Sequence, residues 1–130
     1  MPIQFVWDKS YSVGHALLDS QHQGMFERAN ALKEDLTEKQ VRKIVMELYR
    51  YTREHFKEEE KMMQETGYPK RKDHIRLHNE LITRLNDVSN QPFDSREAIW
   101  VFKKFVYDWL TEHILYQDKD YFQFRQNRKF

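Results

Sequence analysis

The sequence predicts an all-α protein, an antiparallel up-down four-helix bundle with an irregular N-terminal arm. Only three glycines and three prolines interrupt the 130 residues, which favours long regular elements over tight turns. Apolar residues recur at spacings of three and four along four segments, as on the buried faces of amphipathic helices. Short links between these segments make the up-down arrangement the simplest topology.

Capping signals give the expected bounds of the first two helices. Residues 1 to about 18 form the arm, and Asp19 is a suitable N-cap for a first helix that runs to about Leu36. Thr37 followed by Gln40 fits a capping box, so a second helix begins at once and continues to about Glu65. We expect Gly67 to end this second helix.

Similar signals place the third and fourth helices. Pro69 suits the first turn of a third helix that ends near Val88, and residues 89–92 form a turn. Asp94 with Glu97 fits another capping box, which opens a fourth helix to about Tyr116.

Composition excludes several classes of function. The formal net charge of +1 gives no electrostatic basis for nucleic-acid binding. No apolar run approaches the roughly 20 residues that span a bilayer, and the N-terminus resembles no secretory signal. The absence of cysteine excludes disulfides, thiolate metal sites and cysteine nucleophiles. A soluble cytoplasmic protein is expected, with residues 1–130 as one domain and a monomeric state.

Five of the six histidines fall on the inward apolar stripes, together with one glutamate. A single histidine on an apolar face is more often an ordinary core residue than a ligand, but five or more of six would fall there by chance in only about 2% of cases. Each buried polar group without a partner costs about 1–3 kcal/mol, so metal coordination is the economical explanation. The candidate ligands are His22, His55, Glu59, His74, His78 and His113.

Spacing supports a shared metal site. Residues four apart project from the same side of a helix, so His55 with Glu59 and His74 with His78 form two chelating pairs. In an antiparallel bundle these pairs lie at the same level as His22 and His113. Asp118 follows His113 by five residues, which places it about 140° away on an ideal α-helix. If Asp118 joins the site, the fourth helix must widen, bulge or end between them.

The donor set suggests two metal ions without identifying them. Imidazole and carboxylate ligands suit zinc, iron, manganese or copper, and this number of donors exceeds the needs of one ion. A hydrolytic dizinc site stays open, although the sequence has no HExxH motif. The Glu-x-x-His signature of carboxylate-rich di-iron proteins is absent as well.

Four motifs together resemble the hemerythrin family, and specifically its single-domain bacteriohemerythrins. They are D-x-x-H at Asp19 to His22, HFxxEE at His55 to Glu60, HxxxH at His74 to His78 and HxxxxD at His113 to Asp118. The Gly67-Tyr68-Pro69 turn matches as well, and the resemblance extends over nearly the whole chain.

The resemblance implies a role for each ligand. His74, His78 and His113 would hold one iron ion, and His22 and His55 a second ion with an open position for dioxygen. Glu59 and Asp118 would bridge both ions together with a hydroxide or oxide. Trp109, Leu110 and Leu115 would line the oxygen pocket, and His15, which matches no motif, would not be a ligand.

The function implied by the resemblance is reversible dioxygen binding for storage, transport or delivery, with an oxygen-consuming enzyme as a candidate partner and no enzymatic activity. Two alternatives stay open, namely oxygen or redox sensing by the same di-iron domain and a di-iron peroxidase or oxidase. A sensor usually has a fused output domain, for which 130 residues leave no room. A peroxidase requires a proton donor, which the tryptophan and leucine environment does not supply.

Overall fold

The computed structural model describes residues 4–90 and 92–127, except for the side chains of Val88 and Ser89. The main helices are α1 (Ala16–Asn30), α2 (Glu38–Thr66), α3 (Arg71–Ser89) and α4 (Arg96–Glu112). A π-helical segment (His113–Asp118) follows α4 and continues into α5 (Lys119–Gln126). The predicted all-α four-helix bundle is confirmed. None of the helices within the described residues has the length and apolar character needed to cross a bilayer.

The two ends of α2 confirm the predictions that depended on local signals. Thr37 Oγ1 accepts from the backbone N–H of Gln40 at 3.2 Å, and Gln40 Oε1 accepts from the N–H of Thr37 at 2.9 Å. Gly67 ends the helix in the left-handed conformation with φ of 68°, which a residue with a Cβ rarely adopts.

The predicted bounds of the first helix are wrong at both ends. His15 is the N-cap of α1, and its Nδ1 accepts from the N–H of Leu18 at 3.3 Å. Asp19 instead accepts hydrogen bonds from Ser12 Oγ at 2.6 Å and from the N–H of Val13 at 2.8 Å. The helix ends at Asn30 rather than at Leu36.

Tertiary contacts with the arm explain the early end of α1. The Asn30 side chain makes two hydrogen bonds of 2.7 Å to the backbone of Phe5, one as acceptor and one as donor. The Phe5 ring packs on Phe26 and Tyr107 at centroid distances of 5.1 and 5.0 Å. Within residues 4–15, the arm is irregular apart from one 3-10 turn (Lys9–Tyr11), and it packs its aromatic side chains on the bundle as predicted.

The fourth helix also differs from its prediction. Its N-cap is Ser95, whose Oγ accepts from the N–H of Ala98 at 3.1 Å, so the capping box expected at Asp94 is wrong. Regular α-helix stops at Glu112 instead of continuing to Tyr116. In the expected turn of residues 89–92, Gln91 lies outside the described residues, as does the side chain of Val88, near which the third helix was expected to end.

A close approach between α1 and α2 depends on a glycine in the middle of α1. A Cβ at Gly24 would clash with the ring of Tyr51, including a contact of 2.6 Å with Cζ. The Arg28 guanidinium covers the same ring at 3.8 Å from its centroid. Gly24 therefore lets α2 lie close to α1 two residues after His22.

Two apolar clusters enclose a polar layer. The larger cluster includes Met25, Phe56 and Leu110, and the smaller one includes Leu18, Met63 and Tyr121. Along α1, along α2 and along the final helical stretch, the candidate ligands lie in sequence between members of the two clusters. The fold thus places the candidate site in a layer between two dry regions.

Candidate metal centre

All seven side chains that the sequence analysis proposed as ligands are buried. Their exposed fractions range from 0% for His22 and Glu59 to 4% for His113. Their donor atoms form two groups, and within each group the atoms lie within 4.8 Å of one another. One group joins His74, His78 and His113 with Glu59 and Asp118, and the other joins His22 and His55 with the same two carboxylates. We call these the three-imidazole group and the two-imidazole group.

The π-helical segment brings Asp118 to the same place as His113. An α-helix would turn the two side chains apart, whereas the wider π turn pairs residues five apart. Asp118 Oδ1 lies 3.1 Å from His113 Nε2, and Asp118 is 1% exposed. The widening that the sequence made a condition for Asp118 to join the cluster is therefore present.

Each carboxylate presents one oxygen to each group. Glu59 Oε1 lies 2.7 Å from His74 Nε2, and its Oε2 lies 3.5 Å from His55 Nε2. Asp118 Oδ1 lies 3.0 Å from His74 Nε2, and its Oδ2 lies 3.1 Å from His22 Nε2. This is the arrangement of two carboxylates that can bridge a pair of cations.

Two partners outside the groups fix the histidine tautomers. His55 Nδ1 donates to the Gln21 Oε1 amide oxygen at 2.7 Å, since that atom can only accept. His78 Nδ1 donates to Glu60 Oε2 at 2.8 Å. With Nδ1 protonated, the Nε2 atom of each neutral ring carries a lone pair that faces the other donors, as metal-binding histidines require.

Several of the buried nitrogen and oxygen atoms that could bind a metal have no hydrogen-bond partner among the described residues. These atoms test whether the site fits a metal ion. They are both ring nitrogens of His22, His55 Nε2, Glu59 Oε2 and Asp118 Oδ1. His22 Nε2 lies 3.1 Å from Asp118 Oδ2, and Asp118 Oδ1 lies 3.0 Å from His74 Nε2 and 3.1 Å from His113 Nε2. These contacts leave His22 Nε2 and Asp118 Oδ1 without the alignment of a hydrogen bond. His78 Nε2 also faces His113 Nε2 at 3.1 Å. Donor atoms that converge without pairing fit a metal cation among them.

The electrostatics of the site keep both carboxylates ionised. Burial and the charge of Asp118 act to raise the pKa of Glu59, but contacts with His55 and His74 outweigh them and hold that pKa below its ordinary value. Burial likewise opposes ionisation of Asp118, while His113 and His22 keep its pKa well below the usual range. Two buried anions surrounded by imidazoles are an environment that attracts divalent cations.

Aromatic rings pack against the three-imidazole group. Phe56 stacks on His78 with ring centroids 3.7 Å apart and planes 2° apart. Trp109 stacks on His113 at 4.5 Å and 15°. These contacts limit the rotation of the two imidazoles, which presents their Nε2 atoms in a fixed direction.

The residues predicted to line an oxygen pocket lie in different environments. Leu110 is buried in the larger apolar cluster, and Trp109 is partly buried against it. Leu115 is partly exposed and belongs to neither cluster, whereas its neighbour Ile114 is 1% exposed in the larger cluster. Ile114 follows Leu110 by four residues, so helical spacing could have indicated it. The pocket itself stays a prediction.

The structure adds three residues with local roles that sequence reasoning missed or described incompletely. Gln21 and Glu60 had no assigned role, because a contact across 34 or 18 residues leaves no periodic signal. His15 belongs to neither group and caps α1 instead. Its ring packs on Phe122 at a centroid distance of 5.6 Å.

Comparison with known proteins supports one family. The family model described as the hemerythrin HHE cation binding domain matches residues 13–124. A bacteriohemerythrin from Clostridium acetobutylicum is 30% identical over 126 residues, covering 90% of this chain and 98% of the relative. A myohemerythrin from Riftia pachyptila is 31% identical over 114 residues, covering 88% of this chain and 88% of the relative.

A solved structure agrees with these sequence matches. The crystal structure of a wild-type hemerythrin superposes with a TM-score of 0.79 at 26% identity, covering 90% of this chain and 94% of the other. The matched region contains both ligand groups, since residues 13–124 include every position from His22 to Asp118. The chain therefore belongs to the hemerythrin family.

Proposed function

We propose that this chain binds dioxygen reversibly at a centre of two iron ions held by the two groups. The observation that carries the proposal is the pair of buried carboxylates, each with one oxygen toward each group. Membership of the hemerythrin family supports iron over zinc, which the donor types alone do not decide.

Each ion would be held by a different set of histidines. His74, His78 and His113 would hold one ion, His22 and His55 the other, and Glu59 and Asp118 would bridge them together with a hydroxide or oxide. The two-imidazole group supplies one fewer nitrogen, which leaves room for an exogenous ligand. When bound, a pair of ferrous ions would supply the two electrons that reversible dioxygen binding requires.

The surrounding side chains favour binding over further chemistry. Residues of the larger apolar cluster lie next to the ligands in sequence or one helical turn away, namely Met25, Phe56, Leu110 and Ile114. These four side chains exclude water and have no proton to donate. A carrier, store or delivery protein for oxygen-consuming enzymes fits this environment better than a peroxidase does.

The decisive experiment is anaerobic loading with ferrous ion followed by exposure to oxygen. We expect about two iron atoms per chain and a visible charge-transfer absorption band that appears with oxygen and disappears on evacuation. A content of one atom or fewer would contradict the dinuclear centre. Irreversible bleaching would contradict reversible binding and favour the peroxidase or oxidase alternative.

Three further points stay predictions from composition and length. They are the cytoplasmic location, the monomeric state and the assignment of residues 1–130 to one hemerythrin-like domain. Fractionation of the source cells and sedimentation analysis of the purified chain would test the first two.

A further inference from the structure

A cavity remote from the metal centre lies between the arm, the connection from α1 to α2 and the first half of α4. Its volume is about 320 Å³. Lys103 and Trp100 of α4 both line it. Lys103 precedes His113 by ten residues, which corresponds to about 15 Å along a helix axis. The cavity is thus distinct from the candidate metal site.

Lys103 is a buried lysine without a carboxylate partner within salt-bridge distance among the described residues. It is 8% exposed, and its Nζ donates to the backbone oxygen of Leu32 at 3.1 Å, which uses one of its three N–H groups. Burial and the charge of Lys33 lower the pKa of Lys103, and the opposing effect of Glu34 is weaker. The ammonium group would therefore be stabilised by an anion.

Trp100 lines the same cavity and carries a second unused donor. Its indole Nε1 is buried and has no hydrogen-bond partner among the described residues. Residues three apart are neighbours on a helix surface, so Trp100 and Lys103 present their side chains on the same face of α4. A group with two acceptor oxygens offers one oxygen for each of these two donors.

The charges at the rim of the cavity do not remove this preference. Lys33 and Arg96 are exposed there, together with exposed Asp35 and partly buried Glu34. Two cations and two acids largely offset each other in solvent, where such charges are screened. The buried ammonium of Lys103 is the charge that distinguishes the interior of the cavity.

We propose that this cavity binds a small oxyanion, a carboxylate or phosphate group that accepts hydrogen bonds from Lys103 Nζ and Trp100 Nε1. The bound anion would connect α4 with the α1–α2 connection, since Lys103 also holds the Leu32 carbonyl. Binding to the folded chain alone would raise the thermal stability of the protein.

The test uses the full chain labelled with ¹⁵N-tryptophan, with its metal centre filled by diamagnetic zinc. Inorganic phosphate and acetate are titrated separately at constant ionic strength, maintained with sodium chloride. We expect the Trp100 indole N–H signal, assigned with Trp100→Phe, to shift and saturate with at least one of the two anions. A response to phosphate alone or to acetate alone identifies which oxyanion the cavity accepts.

The control variants separate this site from nonspecific effects. Lys103→Met should abolish the shift, whereas Lys104→Met should preserve it, because Lys104 is exposed and pairs with Asp108 at 2.7 Å. No saturable shift with either anion, or the same shift in Lys103→Met, would overturn the proposal. If Lys103→Met does not fold, the melting temperature decides: phosphate or acetate must raise that of the parent chain and not that of Trp100→Phe.

Discussion

The three-imidazole and two-imidazole groups share the carboxylates of Glu59 and Asp118. They differ in how fully the protein itself provides hydrogen-bond and stacking partners for their imidazole rings. In the first group, His78 donates to the anionic Glu60 and stacks on Phe56. In the second, His55 donates to the neutral amide of Gln21, and both nitrogens of His22 lack a hydrogen-bond partner among the described residues. The fold therefore prepares one ion position more completely than the other, and we expect the three-imidazole group to fill first.

Removal of a shared carboxylate should have the largest effect, because it damages both positions together. Glu59→Gln replaces a buried anion that faces His74 and His55 with a neutral amide. We expect the iron content to fall from about two atoms per chain to less than one, measured after anaerobic loading and gel filtration. The matched control is Glu58→Gln, the same substitution at the preceding, exposed residue, which should retain the iron. Retention of two ions by Glu59→Gln would contradict a shared bridge.

Loss of one imidazole should distinguish the two groups. His55→Ala leaves the second group with His22 alone, so we expect about one iron atom per chain and a lower melting temperature, since metal binding and folding are coupled. His78→Ala leaves two imidazoles in the other group and should retain more iron. An unchanged melting temperature for loaded His55→Ala, or equal iron loss in both variants, would contradict the comparison.

Substitution of Gln21 or Glu60, the hydrogen-bond partners of His55 and His78, should change iron binding less than the loss of a ligand does. The two substitutions should change iron affinity in opposite directions. Gln21→Glu places an anion next to Nδ1 of His55, which makes the ring a stronger metal ligand. Iron should therefore bind more tightly to the two-imidazole group. Glu60→Gln removes the anion next to Nδ1 of His78 and should weaken iron binding to the three-imidazole group. Such partners typically change metal affinity by about 10- to 100-fold, which competition with a chelator measures. A weakening in both variants would show that only geometry, and not charge, matters at these positions.

The smallest expected difference between the two groups concerns the pKa values of their histidines in the metal-free chain. Burial lowers the pKa of His74, but its contacts with Asp118 and Glu59 prevail and raise that pKa to about 9. Burial lowers the pKa of His55. The stabilisation from protonated His74 is therefore complete below pH 6.5 and lost as the pH rises through about 9, whereas His55 favours the folded state above its unfolded pKa.

Histidine NMR titration of the metal-free chain checks these assignments. We expect His74 to titrate near pH 9 and His55 to titrate below pH 6.5. Iron affinity should rise with pH up to about 9, because the ion must displace the His74 proton. Titration of both rings near pH 6.5 would contradict the contrast.

Local and periodic features were predictable from the sequence. The caps of α2 depend on residues three apart at Thr37 and Gln40 and on the conformational freedom of Gly67, so their signals are complete within a few residues. The cluster of five histidines was predictable because helical spacing determines which side chains face the core. The combination of these signals was enough to predict the bundle and the convergence of the five histidines with Glu59.

Features that depend on contacts between distant segments were not predictable in the same way. Asp19 is a good N-cap by type, but it binds the arm at Ser12 and Val13, and His15 caps α1 instead. Asn30 binds the backbone of Phe5 at the point where α1 ends. For Asp118 the spacing predicted a place in the site only if the fourth helix widened, bulged or ended before it. Regular α-helical geometry would turn Asp118 away from His113.

The wide turn between His113 and Asp118 also sets how this part of the chain tolerates a change in length. It accommodates one more residue than an ordinary turn, so deletion of the exposed Gln117 would leave a histidine and an aspartate four apart, the spacing that an α-helix brings to one side. We expect such a shortened chain to keep Tyr121 in its apolar cluster. A one-residue insertion at the same place has no comparable slack, so it should rotate α5 and expose the end of the bundle.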